Sequence, residues 1–324
     1  MRWLGIDAGG TKTAFATYDE TLTQLDRFEL PTSHYAQAGF DGMEAVLAEG
    51  IARAEAAGLL GEQYGIGIGM CGYGEGTTST ARIEQIVAKV AGAHPYALVN
   101  DVESAWAAGL NLADGIVIIA GTGSIAYGVH GERSQRCGGW DYELGDEGSG
   151  GWLGKELLRA FTRQCDGRDP AGPLRSLVRQ ELELADDFDI IAFAQEHMAN
   201  RSRISALAPL VSKAAAAGDA SAQRILERAA TEEAEMVAAI VRGIFDEPDN
   251  QAAGNIPVTY VGGTFKAGEA ILGPLGAALP RCCRLIAPLH EPELGACLIL
   301  QKRLDQLCSL ETVTWKVNSH VRDC

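Results

Sequence analysis

Apolar residues fall into short, strand-length blocks along the first 100 residues, and the same order of blocks returns after residue 113. The first half predicts two helices, over 41–57 and 78–91, and strands over 2–8, 12–18, 25–30, 64–70 and 95–100. The second half predicts strands over 115–120, 124–130, 133–138, 257–261 and 283–287, and a last helix over 293–307. A mostly helical, alanine-rich insert over about 150–247 interrupts this second run, and Asp219 is the predicted N-cap of its longest helix.

The repeated order predicts an α/β protein with two domains. The first covers 1–112, and the C-terminal helix at about 293–308 packs back on it. The second covers 113–292 and contains the insert. With 324 residues, the chain is long enough to bury a core in each domain.

Charge and composition narrow the function classes. The net charge of −16 repels nucleic acid and anionic membranes, so neither is an expected partner. No apolar run approaches the length of a membrane span, and the chain enters a strand at once, which predicts no signal peptide. Eight scattered cysteines without a CxxC motif are typical of reduced thiols, so we expect a cytoplasmic protein.

Two glycine-rich loops carry the candidate chemistry. One is Asp7-Ala8-Gly9-Gly10-Thr11-Lys12-Thr13, and the other is Ala120-Gly121-Thr122-Gly123-Ser124. Backbone N–H groups in such loops can close on an anion, and the neighbouring hydroxyls add donors. Either loop alone is equally consistent with a simple hairpin turn, but the pair predicts two contacts to one polyphosphate. Asp7 could hold the hydrated Mg²⁺ that accompanies it.

Two better-known nucleotide motifs do not apply. Thr11 occupies the position where a P-loop requires Lys, and a strand follows instead of a helix. The run Gly67-Ile68-Gly69-Met70-Cys71-Gly72 spells GxGxxG, but no helix opens at its end. These glycines are better explained by close packing of a central strand.

Acidic residues supply candidates for the reaction itself. Asp101 follows the strand over 95–100, at the edge of the sheet where ligands of α/β proteins bind. It could accept a hydroxyl proton during phosphoryl transfer, or it could cap the following helix. Asp146 and Glu147 lie in a glycine-rich turn, where they could accept hydrogen bonds from a ligand or favour a helix dipole. The nearby Trp140 could pack against a ligand ring.

Four motifs and the order of the elements resemble the actin-like/hexokinase-like ATPase superfamily. The motifs are Gly5-Ile6-Asp7-Ala8-Gly9-Gly10-Thr11-Lys12-Thr13, Val99-Asn100-Asp101, Ala120-Gly121-Thr122-Gly123-Ser124 and Val261-Gly262-Gly263-Thr264. Cys137-Gly138-Gly139-Trp140, followed by Gly145-Asp146-Glu147-Gly148-Ser149, is similar to the N-acetylglucosamine kinase branch. That branch belongs with the activator ATPases of benzoyl-CoA reductase.

The resemblance implies duplicated βββαβαβα, ribonuclease H-like domains flanking a central cleft, with the helical insert in the second. It implies a homodimeric enzyme that uses ATP and Mg²⁺ to phosphorylate the C6 hydroxyl of N-acetylglucosamine, with Asp101 as catalytic base and Asp7 holding Mg²⁺ through water. The expected ATP contacts are Gly9, Gly10, Thr11, Lys12, Thr13, Gly121, Thr122, Gly123, Ser124, Gly262, Gly263 and Thr264. The expected sugar contacts are Ser33, His34, Cys71, Gly72, Asn100, Asp101, Thr122, Gly139, Trp140 and Asp146.

Two departures keep other substrates open. Ser33 stands where the family carries Asn, and Cys71-Gly72 stands where it carries Ser-Gly. Glucosamine and N-acetylmuramic acid are the alternative substrates. An activator ATPase is a third reading, although the chain has GDEGSGGW in place of that group's Gly-Gln-Asp motif. A non-catalytic sugar sensor would need a helix-turn-helix arm and a zinc-binding cysteine cluster, and the sequence shows neither.

Overall fold

A computed structural model describes residues 1–247, 250 and 252–320, with the side chains of the last helix described up to residue 307. The chain forms two compact units. One contains Met1–Leu112 together with the segment that begins at Leu289, and the other is Ala113–Pro288. The chain thus returns to the first unit at Leu289.

Strands and helices follow one another in the predicted order. The strands are β1 (Arg2–Ala8), β2 (Lys12–Tyr18), β3 (Gln24–Pro31), β4 (Tyr64–Met70), β5 (Tyr96–Asn100), β6 (Gly115–Ala120), β7 (Ser124–His130), β8 (Arg133–Gly138), β9 (Ile256–Val261) and β10 (Cys283–Leu285). The helices are α1 (Tyr35–Ala56), α2 (Thr77–Ala91), α3 (Asp101–Leu110), α4 (Gly150–Cys165), α5 (Pro173–Glu181), α6 (Asp189–His197), α7 (Arg201–Ser205), α8 (Ala208–Ala216), α9 (Ala220–Ile244), α10 (Glu269–Ala278) and α11 (Pro292–His320).

The two sheets have the same topology. The first has the order β3-β2-β1-β4-β5, and the second has the order β10-β9-β6-β7-β8. In each, the first three strands along the chain are antiparallel, and the last two join in parallel beside the first. This duplication confirms the predicted two-domain α/β fold. It also places the two glycine loops equivalently, since each follows the central strand of its sheet, β1 or β6.

The central strand β1 is buried on both faces. Leu4 and Ile6 lie in one cluster with side chains of α1 and α2, and Trp3 lies in another with Leu294 and Leu298 of α11. Each fully buried Leu or Ile contributes about 1.5–3 kcal/mol. Glycines on the neighbouring strand β4 leave room for helices to approach the sheet closely. A Cβ on Gly67 would lie 2.2 Å from the backbone N of Cys297, and one on Gly69 would lie 2.6 Å from the Cβ of Ser104.

The GxGxxG run is therefore a packing device, as the sequence predicts. It lets α11 and α3 approach the backbone of β4. The two helices also meet each other closely, because a Cβ on Gly295 would lie 1.8 Å from the carbonyl oxygen of Ser104. The Ser104 hydroxyl donates to the carbonyl of Pro292 and accepts from the N–H of Ala296, at 3.0 Å each. These contacts fasten α11 to the first unit.

The ends of three helices can be compared with the ends predicted from the sequence. α1 begins at Tyr35, but Gly39 has φ +69° and breaks it, so its regular part starts close to the predicted residue 41. α9 is capped as predicted, since the Asp219 carboxylate accepts hydrogen bonds from Ser221 N and Ala222 N at 2.9 and 3.1 Å. α11 continues past the predicted end near 307 to His320.

Candidate active site

In the loop after β1, two side chains that follow β3 donate hydrogen bonds to backbone carbonyl groups. Thr32 Oγ1 donates to the carbonyl of Gly9 at 2.8 Å, and Gln37 Nε2 donates to the carbonyl of Gly10 at 2.6 Å. Thr11 and Lys12 are the exposed residues of the turn. Carbonyl oxygens repel a phosphate, so a loop whose carbonyls are already engaged is suited to an anion on its other side.

Thr13 and Ser33 form a buried pair behind this loop. Thr13 Oγ1 donates to Ser33 Oγ and accepts from Ser33 N, both at 2.9 Å, and both residues are fully buried. The hydroxyl of Ser33 therefore ties the segment after β3 to the start of β2. Ser33 therefore lies next to the first loop. Its contact with sugar remains a prediction.

Asp7 lies at the end of β1 among other carboxylates. Burial, then the charges of Glu293 and Asp101, raise its pKa to about 7. Glu293 is itself buried; its Oε1 accepts from Arg27 Nε at 2.8 Å, and its Oε2 has no hydrogen-bond partner among the described residues. Glu293 was not predicted from the sequence, because it comes from the opposite end of the chain.

Among the described residues, no group of three or more His, Cys, Asp or Glu side chains could hold a metal ion directly, so a divalent cation beside Asp7 would keep most of its waters. Mg²⁺ prefers carboxylate oxygens and retained waters, and the unpartnered Glu293 Oε2 is an oxygen that a hydrated ion could satisfy. A cation there would also favour the ionised form of Asp7.

Asp101 begins α3 but does not carry its cap alone. Asn100 Oδ1 accepts from Val102 N at 3.1 Å, and Asp101 Oδ1 lies 3.0 Å from the same N–H. Burial raises the pKa of Asp101 to about 6, with a smaller rise from Glu75 and a lowering by a hydrogen bond from Cys71. A carboxylate with a pKa near neutrality is suited to act as a general base.

Several residues predicted to bind sugar meet near Asp101. Cys71 contacts it directly, and Gly72 follows with φ +80°. A Cβ on Gly72 would lie 3.2 Å from His34 Nε2, whose ring stacks on Tyr35 at 5.0 Å between centroids. Asn100 differs, because its Nδ2 donates to the carbonyl of Tyr73 at 2.7 Å and its Oδ1 caps α3. Its amide is thus used within the protein.

The loop after β6 rests on the start of α4. Gly150 N donates to the carbonyl of Gly121 at 2.8 Å, and Gly151 N donates to that of Thr122 at 3.3 Å. Gly121 N donates to the carbonyl of Gly123 at 2.9 Å. A Cβ on Gly121 would meet no atom within 4 Å, so one side of the loop is open. As in the first loop, backbone carbonyl oxygens already accept hydrogen bonds from the protein itself.

The turn after β9 lies beside this loop. A Cβ on Gly262 would lie 2.3 Å from the carbonyl oxygen of Ala120, and its φ of +126° also requires glycine. Gly263 has open space where a Cβ would be, and Thr264 is buried. The structure therefore brings 262–264 together with 121–124, while the predicted adenosine contact of this turn stays a prediction.

Residues 138–149 form a glycine-rich segment that exposes two large apolar side chains, Trp140 and Leu144. Gly138 and Gly139 have φ of +77° and +69°, and Trp140 follows with 72% of its surface exposed. An exposed indole at such a turn is suited to pack against a sugar ring. The segment is anchored at its end, where Ser124 Oγ donates to the carbonyl of Glu147 at 2.5 Å and Ser149 caps α4.

Asp146 is the buried acid of this segment. It is 3% exposed and has φ +58°, a conformation that Asp tolerates better than most residues. Its Oδ1 accepts from Ser124 N at 3.4 Å, and its Oδ2 pairs with Arg201 Nη2 at 2.9 Å. Burial raises the pKa of Asp146, and the charge of Arg201 opposes that rise. Arg201 belongs to α7 in the insert, and no motif in the sequence identified it.

Glu233 of α9 packs against the same segment. Its Oε1 would lie 3.0 Å from a Cβ on Gly148, it is fully buried, and neither carboxyl oxygen has a hydrogen-bond partner among the described residues. Burial raises the pKa of Glu233 well above its usual value. An acid whose folded-state pKa is raised loses its contribution to stability as the pH rises above the unfolded-state pKa of about 4.3.

We therefore expect Glu233→Gln to increase the free energy of unfolding more at pH 8 than at pH 5, because burial raises the pKa of Glu233 and ionisation of the carboxyl at higher pH costs stability that an uncharged amide keeps. Urea unfolding at both pH values measures it. Glu235→Gln, at an exposed position of the same helix, is the control and should change little. A loss of stability at pH 8 in Glu233→Gln would contradict the prediction.

None of the cysteines with described side chains forms a disulfide. The cysteines with described side chains, Cys71, Cys137, Cys165, Cys282, Cys283 and Cys297, are all free thiols. Those at 308 and 324 lie outside the described side chains.

Among the helices of the described chain, none has both the length and the apolar character needed to cross a membrane.

The chain is similar in sequence to proteins named as amino-sugar kinases. The chain is 34% identical to an N-acetylmuramic acid/N-acetylglucosamine kinase of Clostridium acetobutylicum over 71% of this chain and 76% of that protein. It is 27% identical to an N-acetyl-D-glucosamine kinase of Dictyostelium discoideum over 92% of this chain and 97% of that protein. A crystal structure from Chromobacterium violaceum, provisionally named an N-acetylglucosamine kinase, has a TM-score of 0.67 and 26% identity over 92% of this chain and 98% of that one.

The resemblance inferred from the glycine loops and the GGW and GDEGS motifs extends over nearly the whole chain. The sequence model of one ATPase family matches residues 4–299, a range that includes both loops, Asp101 and Asp146. The chain therefore belongs to the BadF/BadG/BcrA/BcrD ATPase family.

Proposed function

We propose that the chain is an ATP-dependent kinase that phosphorylates the C6 hydroxyl of N-acetylglucosamine. The observation that carries this proposal is the contact between Asp146 and the loop over 121–124, where Ser124 N–H meets the carboxylate. A group that can hold sugar hydroxyls thus lies directly against a loop suited to phosphate. The named relatives support an amino sugar as the acceptor.

Asp101 is the base of the proposed reaction. It takes the proton of the C6 hydroxyl as that oxygen forms a bond to the γ-phosphorus of ATP, and the bond from phosphorus to the bridging oxygen of ADP breaks. The proton stays on the Asp101 carboxyl until product leaves. Its pKa of about 6 means that most of the free enzyme carries the ionised base at pH 7.

The two glycine loops are the proposed phosphate contacts, and Gly263 and Thr264 lie on the proposed adenosine side. Asp7 and Glu293 would hold Mg²⁺, which supplies charge neutralisation for the transferring phosphoryl group. The proposed sugar contacts include Trp140, Asp146, His34 and Gly72. A homodimeric state and a cytoplasmic location remain predictions from the sequence.

A direct assay decides among the acceptors. The protein is mixed with ATP and Mg²⁺ and with N-acetylglucosamine, glucosamine, N-acetylmuramic acid or glucose, and ADP release is followed. Phosphorus NMR of the product then locates the phosphate. Faster turnover of N-acetylglucosamine than of glucose, with the phosphate on C6, is the expected result. Turnover of no amino sugar, or a phosphate on C1, would overturn the proposal.

Loss of the Asp146 carboxylate should affect the sugar alone. We expect Asp146→Ala to raise the sugar KM about tenfold or more, because the hydroxyls it holds lose a charged hydrogen-bond partner, and to leave the ATP KM nearly unchanged. Asp146→Asn is the companion variant, since Asn also accepts the left-handed backbone conformation found here. Steady-state kinetics with each substrate varied in turn measure the effect. Equal changes in both KM values would show that Asp146 does not contact sugar specifically.

A further inference from the structure

Arg201 lies where the proposed sugar segment meets the loop over 121–124. Its Nη2 is 2.9 Å from Asp146 Oδ2, and its Nη1 is 3.2 Å from Asp141 Oδ1. The absence of a side chain on Gly123 makes room for it, because a Cβ there would lie 2.0 Å from Nη2. One guanidinium thus bridges two acids and lies on the glycine loop.

The segment that Arg201 contacts, and the part of α9 beside it, are rich in acidic residues. The segment contains Asp141, Glu143, Asp146 and Glu147, and α9 brings Glu233 against Gly148 and Glu232 near Glu147. Asp141 and Glu147 both act on Asp146 with like charge. The positive charge of Arg201 lowers the pKa of Asp146 and so opposes the effect of these two acids. Without it, a buried carboxylate would face like charges on its own segment, which favours the protonated form.

We propose that Arg201 is a positioning residue for amino-sugar binding, which orients the Asp146 carboxylate against the loop over 121–124 and balances its charge. This inference rests on the proposed function, because it takes Asp146 as the sugar ligand. The planar fork of arginine explains the residue type, since it can contact Asp141 and Asp146 at once with fixed geometry. Lysine would restore the charge but not both contacts.

Replacement of Arg201 should change sugar binding and its pH dependence together. In Arg201→Met, we expect the sugar KM and the dissociation constant from calorimetry to rise about tenfold or more, with the ATP KM nearly unchanged. The fall in sugar affinity at low pH should move to higher pH, because Asp146 becomes harder to ionise. Arg201→Lys should return that pH dependence towards the wild type while the sugar KM stays raised.

Arg203→Met is the matched control. It lies on the same short helix α7, and its guanidinium faces the ring of Phe193 at 5.7 Å instead of the acidic segment. Circular dichroism of each variant verifies the fold, and Arg201→Lys keeps the test available if Arg201→Met does not fold.

A measurement without substrate separates this inference from the proposed function. The titration of the Asp146 carboxyl, followed by carbon NMR on the full chain, should move to higher pH in Arg201→Met. Failure of the wild type to phosphorylate any amino sugar would overturn the function, whereas the NMR result would still report on the coupling of the two residues. Unchanged sugar KM and an unchanged Asp146 titration in Arg201→Met, with an active wild type, would overturn the role of Arg201.

Discussion

Replacement of Asp101 by Asn should lower kcat by about 10²-fold or more and leave the binding of both substrates largely intact. An amide has nearly the same size as a carboxylate but cannot accept the proton of the sugar hydroxyl. The helix should survive the change, because Asn100 Oδ1 caps α3 through Val102 N at 3.1 Å. The predicted defect is therefore in the chemical step and not in folding.

Kinetics with both substrates saturating measure this effect, and circular dichroism verifies the fold. Glu103→Gln is the control, since Glu103 is the other acid in the first turn of α3 and should leave kcat close to that of the wild type. The pH profile offers a second readout. In the wild type, kcat/KM should fall as the pH drops below about 6, the pKa to which burial raises Asp101, because only the ionised form acts as a base. A near-normal kcat in Asp101→Asn would reduce the residue to a structural role in α3.

Strand positions could be predicted closely from the sequence. β1, β2, β4, β6, β7 and β8 begin and end at the predicted residues. All except the polar β8 are short blocks containing apolar residues, bounded by glycine or polar turns. Within the insert, the Asp219 N-cap located the longest helix, α9, and the rest was predicted only as helical. Its alanine-rich sequence carries weak periodicity, so the breaks that divide the segment before α9 into α4–α8 depend on packing that a single sequence does not reveal.

The site was predictable where its residues are close in the chain, and it was not where they meet through the fold. Gly121 and Ser124 sit in one motif, whereas Arg201 reaches Asp146 from an insert helix and Glu293 reaches Asp7 from α11. A charged residue on a helix normally faces solvent, so neither Arg201 nor Glu293 could be distinguished by its type. Only the packing of α7 and α11 reveals these pairs.

Gly121→Val should raise the ATP KM at least about tenfold, while the sugar KM changes little. A Cβ on Gly121 would meet no protein atom within 4 Å, so a side chain has room there in the free protein and would enter the space that we propose for a phosphate. Backbone approach to an anion requires that this space be empty. The stability of the variant should consequently stay close to that of the wild type.

Gly123→Val is the informative comparison, two residues along the same loop. There a Cβ would lie 2.0 Å from Arg201 Nη2 and 2.7 Å from Asp146 Oδ2, so the added side chain must displace the acid–arginine pair. We expect this variant to raise the sugar KM as well as the ATP KM. Steady-state kinetics with ATP and sugar varied separately, together with thermal unfolding, distinguish the two variants. Unchanged ATP kinetics in Gly121→Val would remove this loop from the nucleotide site, because the open side of the loop would then have no ligand to accommodate.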